Sequence, residues 1–381
     1  MPPPVADLKP LPFREAIDYF RRRIGNPQVQ DRWTERWQDE HSAAFTVARS
    51  AGYDILGDIS GAMEKAIAQG TTFEEFAKDL VPLLKAKGWW GRVERTDGEH
   101  VKLGSMRRLR TIFNVNMRVS YAAGRWEQIQ RTKQDLPYLA YSAVLDMRTR
   151  PAHRDWNGTV LPVDHPWWDV HYPPCGWNCR CSVIQLTESA ARRRGGVTET
   201  PPSGMPRAWS NPTTGKTIEV PHGIDPGWGY NVGKAAMQAS AQEQAAKQLA
   251  DKLVAVPAEI AADALGAEDL AAIGRELAAW AGRITKPVGD ARVVGTVPKG
   301  FLDKLGADTS GAIVLSDSVA AAMPASILRG LPQRLAASKE VTIEGGKIRW
   351  AITDANGAPV VLTIDQAGPK GGNLVESWKS P

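Results

Sequence analysis

Between Asp146 and Cys181 the chain reads DMRTRPAHRDWNGTVLPVDHPWWDVHYPPCGWNCRC. Residue types that bind metals, move protons or form ion pairs crowd together there. They are Asp146, Arg148, Arg150, His153, Asp155, Asp164, His165, Asp169, His171 and all three cysteines of the chain, Cys175, Cys179 and Cys181. Trp156, Trp167, Trp168 and Trp177 lie among them. Zinc takes thiolate and imidazole ligands, four of them in a closed structural site. His153, Cys175, Cys179 and Cys181 are the leading set for a structural zinc, the one cofactor the sequence raises. Their C-x3-C-x-C spacing departs from the usual C-x2-C pair, but a C-x-C in extended chain points both side chains to one face. Two other readings fit the same residues. Small buried thiols can pack against the tryptophans as a dry core, or a thiol beside Arg180 and His171 can be activated by those cations. An acid–base pair of Asp146 or Asp155 with His153 or His171 is a further chemistry. No nucleophile elbow, oxyanion loop or phosphate cradle accompanies it, and Asp146 with Arg148 and Arg150 reads more simply as ion pairs that pin the loop.

A segment so poor in regular hydrogen bonding needs a scaffold to hold it. Residues 1–12 are Pro-rich and expected to form an extended arm. Residues 13–194 form one domain, mainly helical as far as Arg131. Helices are expected over Phe13–Arg23 and over Asp31–Ala66 with interruptions near Gly52 and Gly57. A third follows a Thr72 cap and ends at Gly88. A loop or hairpin with an Asp97–Gly98 turn then leads to the clearest helix, Met106–Arg131. Leu109, Ile112, Phe113, Asn116, Met117, Ser120, Tyr121 and Gly124 fall on one face of it at helical spacing. The small and polar members of that face imply a close helix neighbour or a subunit contact. Arg107, Arg108, Arg110, Arg118 and Arg125 are candidate contacts to a phosphate backbone or a partner protein. An ordinary packed helix is the alternative.

A β-like run begins at Tyr138, and the signature follows it. Residues 195–233 are rich in Pro and Gly and read as a connector or an arm laid over a partner. Residues 234–285 are Ala-rich and helical, with Pro257 opening a second helix. Residues 286–381 alternate as a small α+β domain. Strands are expected at Arg292–Val297, Ala312–Leu315, Val341–Thr353 and Pro359–Asp365, with a helix at Ser326–Ser338. Gly345–Gly346 and Asn356–Gly357 are the expected turns. The fold class is therefore α+β, with a mainly helical N-terminal part.

Composition narrows the classes further. At 43% hydrophobic and 23% charged residues, wholesale disorder and collagen-like architecture are excluded. No apolar run is long enough for a membrane span, so no membrane partner is expected. The first residues lack the basic start and apolar core of a secretory signal. Three clustered cysteines cannot build a disulfide framework, which points to a reducing cytoplasm. Residues 1–195 carry 29 Lys and Arg against 23 Asp and Glu, and 22 of those basic residues are Arg. That balance suits an acidic or nucleic-acid partner, or a solvated helical surface.

The signature resembles that of the Mu-phage F-protein-like head morphogenesis family, the minor capsid proteins of tailed phages and prophages. Asp146, Arg148, Thr149, Pro151, His153, Gly158, Trp168, Pro173, Pro174, Gly176, Asn178, Cys179, Arg180 and Cys181 stand at its motif positions. The stretch Gly227–Asn231 resembles the family's segment after the motif. The resemblance implies a few-copy structural protein of the procapsid, assembled in the host cytoplasm, sited near the portal and oligomeric in the head. Portal, scaffold or major capsid protein, and packaged DNA, would be its partners. Residues 286–381 loosely resemble the barnase/EndoU/RelE-like nuclease domains found on such proteins. Lys347, Arg349 and Asp365, with Trp350 and Lys370, would supply the site of a metal-independent ribonuclease, or else the solvated face of a small sheet. No histidine follows His222, so a His–His mechanism is excluded there. The alternative to a structural protein is thus a nuclease effector with an N-terminal docking module.

Overall fold

The structure is a computed structural model that describes all residues except 1–11, 51, 95–99, 254–255, 257, 263, 283, 285–286, 302–303, 305–309, 339, 345–346, 355–356, 366–372 and 380–381. The expected arm, the turns at Asp97–Gly98 and Gly345–Gly346, Asn356, Pro257 and Lys370 therefore lie outside the described residues. The fold is α+β, in two compact units. The first runs to Met237, and the second starts at Gln238 and includes Ile24–Asn26.

In the first unit, helices α1 (Arg14–Ile24), α2 (Tyr53–Gln69), α3 (Phe73–Ala86) and α4 (Met106–Thr132) supply the frame. Helix α3 begins where Thr72 Oγ1 accepts from the Glu75 N–H at 3.2 Å and the Glu75 carboxylate accepts from the Thr72 N–H at 2.8 Å. This reciprocal capping box satisfies donors that a helix start otherwise leaves bare. Residues 31–50 do not form the expected helix. The strands β1 (Pro27–Gln30) and β2 (Phe45–Ala48) pair in parallel, with only a 3-10 turn at Trp33–Glu35 and a short helix at Glu40–Ala43 between them. The buried residues Phe45 and Val47 alternate with half-buried ones, a period of two that helical spacing cannot satisfy. Gly57 lies inside α2 rather than interrupting it.

Helix α4 buries Leu109, Phe113, Asn116, Ser120 and Gly124, together with Val119, Ala123, Trp126 and Ile129. Tyr121 is exposed and Met117 half-buried, so the contact seam is rotated from the expected face. The close neighbour is α1, whose Ala16 nitrogen would lie 2.7 Å from a Cβ at Gly124. Arg23 on α1 is buried and donates to the Asn116 carbonyl oxygen at 2.9 Å and to the His41 backbone carbonyl at 2.9 Å.

Strand β3 (Tyr138–Ser142) is the centre of an antiparallel sheet with β4 (Val160–Pro162) on one side and β5 (Ser182–Leu186) on the other. Residues 195–233 are not a free connector. They form the hairpin β6 (Arg207–Ser210) and β7 (Thr217–Val220), and then bury Val220, Ile224, Trp228 and Val232 among Trp126, Trp156, Trp168 and Cys175. Widely spaced apolar anchors, each seated in a turn, do here what a periodic pattern does in a helix.

The boundary between the units falls inside helix α5 (Val232–Leu253). In the second unit α5, α6 (Ala267–Ala281) and α7 (Ala325–Ala337) share one core with a six-stranded sheet. Its strands are β8 (Ala291–Thr296), β9 (Ala312–Ser316), β10 (Val341–Glu344), β11 (Lys347–Thr353), β12 (Pro359–Asp365) and β13 (Asn373–Lys379), in the order β8-β9-β13-β12-β11-β10. The Ala-rich stretch is thus part of this unit's core rather than a separate segment. Strand β13, unforeseen, sits mid-sheet, parallel to β9 and antiparallel to β12. Ile348, Trp350 and Ile352 of β11, like Val360, Leu362 and Ile364 of β12, point to the buried face.

Two stability tests follow from this packing. A Cβ at Gly274 on α6 would lie 2.0 Å from the Arg329 carbonyl oxygen of α7. Gly274→Ala should lower stability by about 1–3 kcal/mol, although Ala is the better helix former by about 1 kcal/mol; thermal unfolding of the chain decides. His41 is held down to about 4, by burial and by the Arg23 charge. An unfolded histidine binds its proton near pH 6.5, so this contribution is full above 6.5 and is lost as pH falls toward 4. The first unit should lose on the order of 3 kcal/mol across that window, and His41→Gln should flatten the profile.

Candidate functional site

The signature leaves β3, turns through the one-turn helix Pro151–Asp155 and returns as β4. It then forms a short helix at Trp168–His171 and passes the cis Pro173–Pro174 bond to reach β5. Pro151 takes the first helical position, where its missing N–H costs nothing. Gly158 and Asn178 hold the left-handed conformations that Gly and Asn tolerate best.

Two ion pairs pin this path. Asp146 accepts from the Arg180 guanidinium (2.7 Å to one nitrogen), from the Arg148 N–H at 3.0 Å and from Thr149 Oγ1 at 3.2 Å. Arg180 above all holds the Asp146 carboxyl well below the usual carboxylate range. The Arg148 side chain is exposed, 3.7 Å from Asp146. The second anchor comes from residues expected to be a connector. Asp225 accepts from Arg150 at 2.6 Å and from the Trp177 N–H at 2.8 Å. Gly176 lets it approach, since a Cβ there would lie 2.3 Å from its carboxylate.

The tryptophans and histidines interlock. His153 stacks on Trp156 at 4.7 Å, and His171 on Trp167 at 4.3 Å and 3°. Trp168 is fully buried and donates to the Pro162 carbonyl at 3.0 Å. His153 Nε2 meets the Gly223 carbonyl at 2.9 Å, and His171 Nδ1 the Trp167 carbonyl at 3.0 Å. Among the described bonds neither histidine pairs with Asp146 or Asp155, so the acid–base pair is not assembled.

The thiols converge on the other face of His153. Its Nδ1 lies 3.4 Å from Cys181 Sγ and 3.7 Å from Cys179 Sγ, and these three atoms all fall within 4.8 Å of one another. Cys175 donates to the His171 carbonyl at 3.3 Å and lies beside the Cys179 thiol. Burial pushes the Cys175 thiol up, whereas the neighbouring thiols donate to Cys179 and pull it down. Cys181 is pushed up by Cys179 and by desolvation. The Tyr141 hydroxyl points at the same cluster, buried and without a hydrogen bond of ordinary geometry.

The arginines of α4 divide. Arg108 lies over Trp89 at 4.9 Å and donates to the Leu103 and Ala48 carbonyls, and burial brings it down to about 10. Arg118 donates to the Cys179 carbonyl at 2.6 Å and Arg125 to Gln128 at 3.3 Å. Arg110 sits over Phe73 at 4.0 Å and pairs with Glu74 at 3.4 Å. Arg107 and Arg110 are exposed.

In the second unit Lys347 and Arg349 share the exposed face of β11, paired with Glu376 and with Glu344. Asp365 on β12 contributes to the field at Lys347. Lys347 and Arg349 are thus engaged in cross-strand ion pairs.

Sequence reasoning missed Asp225, Gly223 and Tyr141, and a tryptophan patch. Trp37 stacks on Trp209 at 5.3 Å and 16°, and Trp33 lies 5.9 Å from Trp37 and 5.6 Å from Trp177. All four rings are half-buried, beside a cavity of about 210 Å³ that Trp33 and Trp177 line with Arg23, His41 and Arg108. The i, i+4 spacing of Trp33 and Trp37 was the available signal.

These features define a loop motif locked by internal bonds. Residues 57–184 match the family described as Phage Mu protein F like protein. The chain is 39% identical over 244 residues to the protein of Escherichia phage Mu named capsid assembly protein F, covering 59% of this chain and 55% of that protein. It is 39% identical over 218 residues to the Mu-like prophage FluMu F protein of Haemophilus influenzae, covering 54% and 53%. The chain therefore spans about half the length of the curated relatives it matches. No solved structure matches it. No described helix is long and apolar enough to cross a membrane.

Asp225→Ala should destabilise the first unit by about 2–4 kcal/mol, because the Trp177 N–H loses its acceptor and Arg150 keeps only the Trp177 carbonyl. Arg148→Ala, at an exposed motif position, should stay within about 0.5 kcal/mol. Chemical denaturation of both variants checks the contrast.

Proposed function

We propose that this chain is a minor head protein of a phage or prophage. It works in procapsid assembly by binding other head proteins, with the portal, scaffold or major capsid protein as partners. The observation that carries this reading is the 39% identity over 244 residues to a protein named for capsid assembly, beside a family match over 57–184 that includes the signature. The geometry is compatible with it. The signature's polar groups are engaged in pinning the chain, while the tryptophans at 33, 37, 177 and 209 remain partly open to solvent. Large aromatics in such a setting are the usual anchors of protein interfaces. DNA contact rests on Arg107 and Arg110, the exposed pair of the five candidate arginines.

The test is co-expression of the full chain with the portal and major capsid proteins, followed by isolation and electron microscopy of the particles. The chain should co-purify with procapsids in low copy. The double variant Trp37→Ala/Trp209→Ala, assayed at a temperature where circular dichroism shows it folded, should lower its incorporation by more than about tenfold. A chain that never enters particles, yet degrades RNA, would establish the nuclease effector instead.

A further inference from the structure

We infer that His153, Cys175, Cys179 and Cys181 form a closed tetrahedral site for a structural divalent metal of zinc's class. The first argument is geometric. With zinc–sulfur bonds of about 2.3 Å and zinc–nitrogen bonds of about 2.0–2.1 Å, a tetrahedral centre sets its nitrogen and sulfur ligands about 3.6 Å apart. The separations from His153 Nδ1 to Cys181 and Cys179 Sγ are 3.4 and 3.7 Å, on either side of that value. A single thiol hydrogen-bonded to a neutral imidazole reaches the same spacing, but here two sulfurs share the one Nδ1 lone pair, and all three atoms lie within 4.8 Å of one another.

The surroundings supply the second argument. A carbonyl oxygen only accepts, so the 2.9 Å contact to Gly223 places the ring proton of neutral His153 on Nε2. Nδ1 then keeps its lone pair, aimed at the thiols. This is the outer-shell bond that fixes the tautomer of metal-binding histidines. The Tyr141 hydroxyl, buried and without an acceptor, is placed to donate to a thiolate sulfur. Three thiolates and a divalent cation carry one net negative charge, and the guanidiniums of Arg118 and Arg150 lie close enough to act on the sulfurs. Cys175 completes the set from beside Cys179, after its thiol releases the His171 carbonyl. Access exists: Cys179 and Cys181 line a surface cleft with Arg118, Arg125, Tyr172 and Arg180. Four protein ligands leave no open position, so the site is structural and not catalytic.

Cobalt(II) is the probe, as a coloured stand-in for zinc. The full chain is stripped with a chelator, its three thiols are verified as reduced, and it is titrated with the ion. One equivalent should bind, giving tetrahedral d–d bands with sulfur-to-cobalt charge transfer, and one equivalent of zinc should bleach both. Cys175→Ser should reduce the charge-transfer intensity by about one third, because two of three thiolates remain. Zinc should raise the melting temperature of the stripped wild-type chain. A wild-type titration that gives only the weak spectrum of an octahedral ion, or no charge transfer, overturns the proposal and leaves a dry thiol core. A Cys175→Ser spectrum identical to wild type overturns the four-ligand form.

Discussion

The His153 ring is held on both edges, by the Gly223 carbonyl 70 residues downstream and by the thiols of Cys179 and Cys181. The rest of the first unit depends on that double attachment. Residues 143–181 have little sheet or helix to satisfy their backbone, so long-range side-chain bonds must fix the path. Asp225, two residues after Gly223, repeats the device by taking Arg150 and the Trp177 N–H. Residues 221–231 are thereby strapped across the signature, and Asn231 closes the strap by donating to the Trp168 carbonyl at 3.1 Å. Gly223 is required at the crossing. Its φ is +74°, and a Cβ would lie 2.5 Å from the Trp156 ring.

That arrangement bears on function by what it leaves over. Asp146 pairs with Arg180 and Asp225 with Arg150, while His153 and His171 meet backbone carbonyls, so these polar groups of the signature are engaged in holding the chain. What reaches the surface is aromatic, with Trp37 and Trp209 stacked where the hairpin of β6 and β7 comes back to residues 33–37. The proposed assembly role would draw on a stiff support under such a surface, because ordering a floppy surface at the moment of binding weakens association. The internal ion pairs provide that stiffness.

Much of this was legible beforehand. The capping box at Thr72 and Glu75, the span of α4 and the alternation of β11 and β12 are local signals, and local signals survive folding. The types and spacing of the motif residues carried the resemblance to the family whose model matches 57–184. The parallel pair β1 and β2 was not, since four-residue strands offer two alternations at most and their pairing is set from outside. Strand β13 was hidden for a related reason. NLVESWK mixes buried Asn373 and Val375 with charged neighbours, and only the carbonyls of Ser310 and Ala312 show why an asparagine belongs in the core. The strap over the signature was illegible because its meaning lies in partners some 50 to 75 residues away.

The arginine content of the first unit shows how composition alone misleads about charge. In residues 1–195, 22 arginines among 29 basic residues resemble a footprint for phosphate. Yet Arg23 donates to His41, Ala44 and Asn116, Arg108 to Ala48 and Leu103, and Arg118 to Cys179. Each joins segments whose carbonyls no ladder satisfies, a task for which the rigid multi-donor fork suits Arg and the single ammonium of Lys does not. In a domain with so much irregular chain, arginine enrichment is first a way to cross-link backbone. A phosphate-binding role for the helix therefore depends on Arg107 and Arg110, whose side chains face solvent, and not on the total.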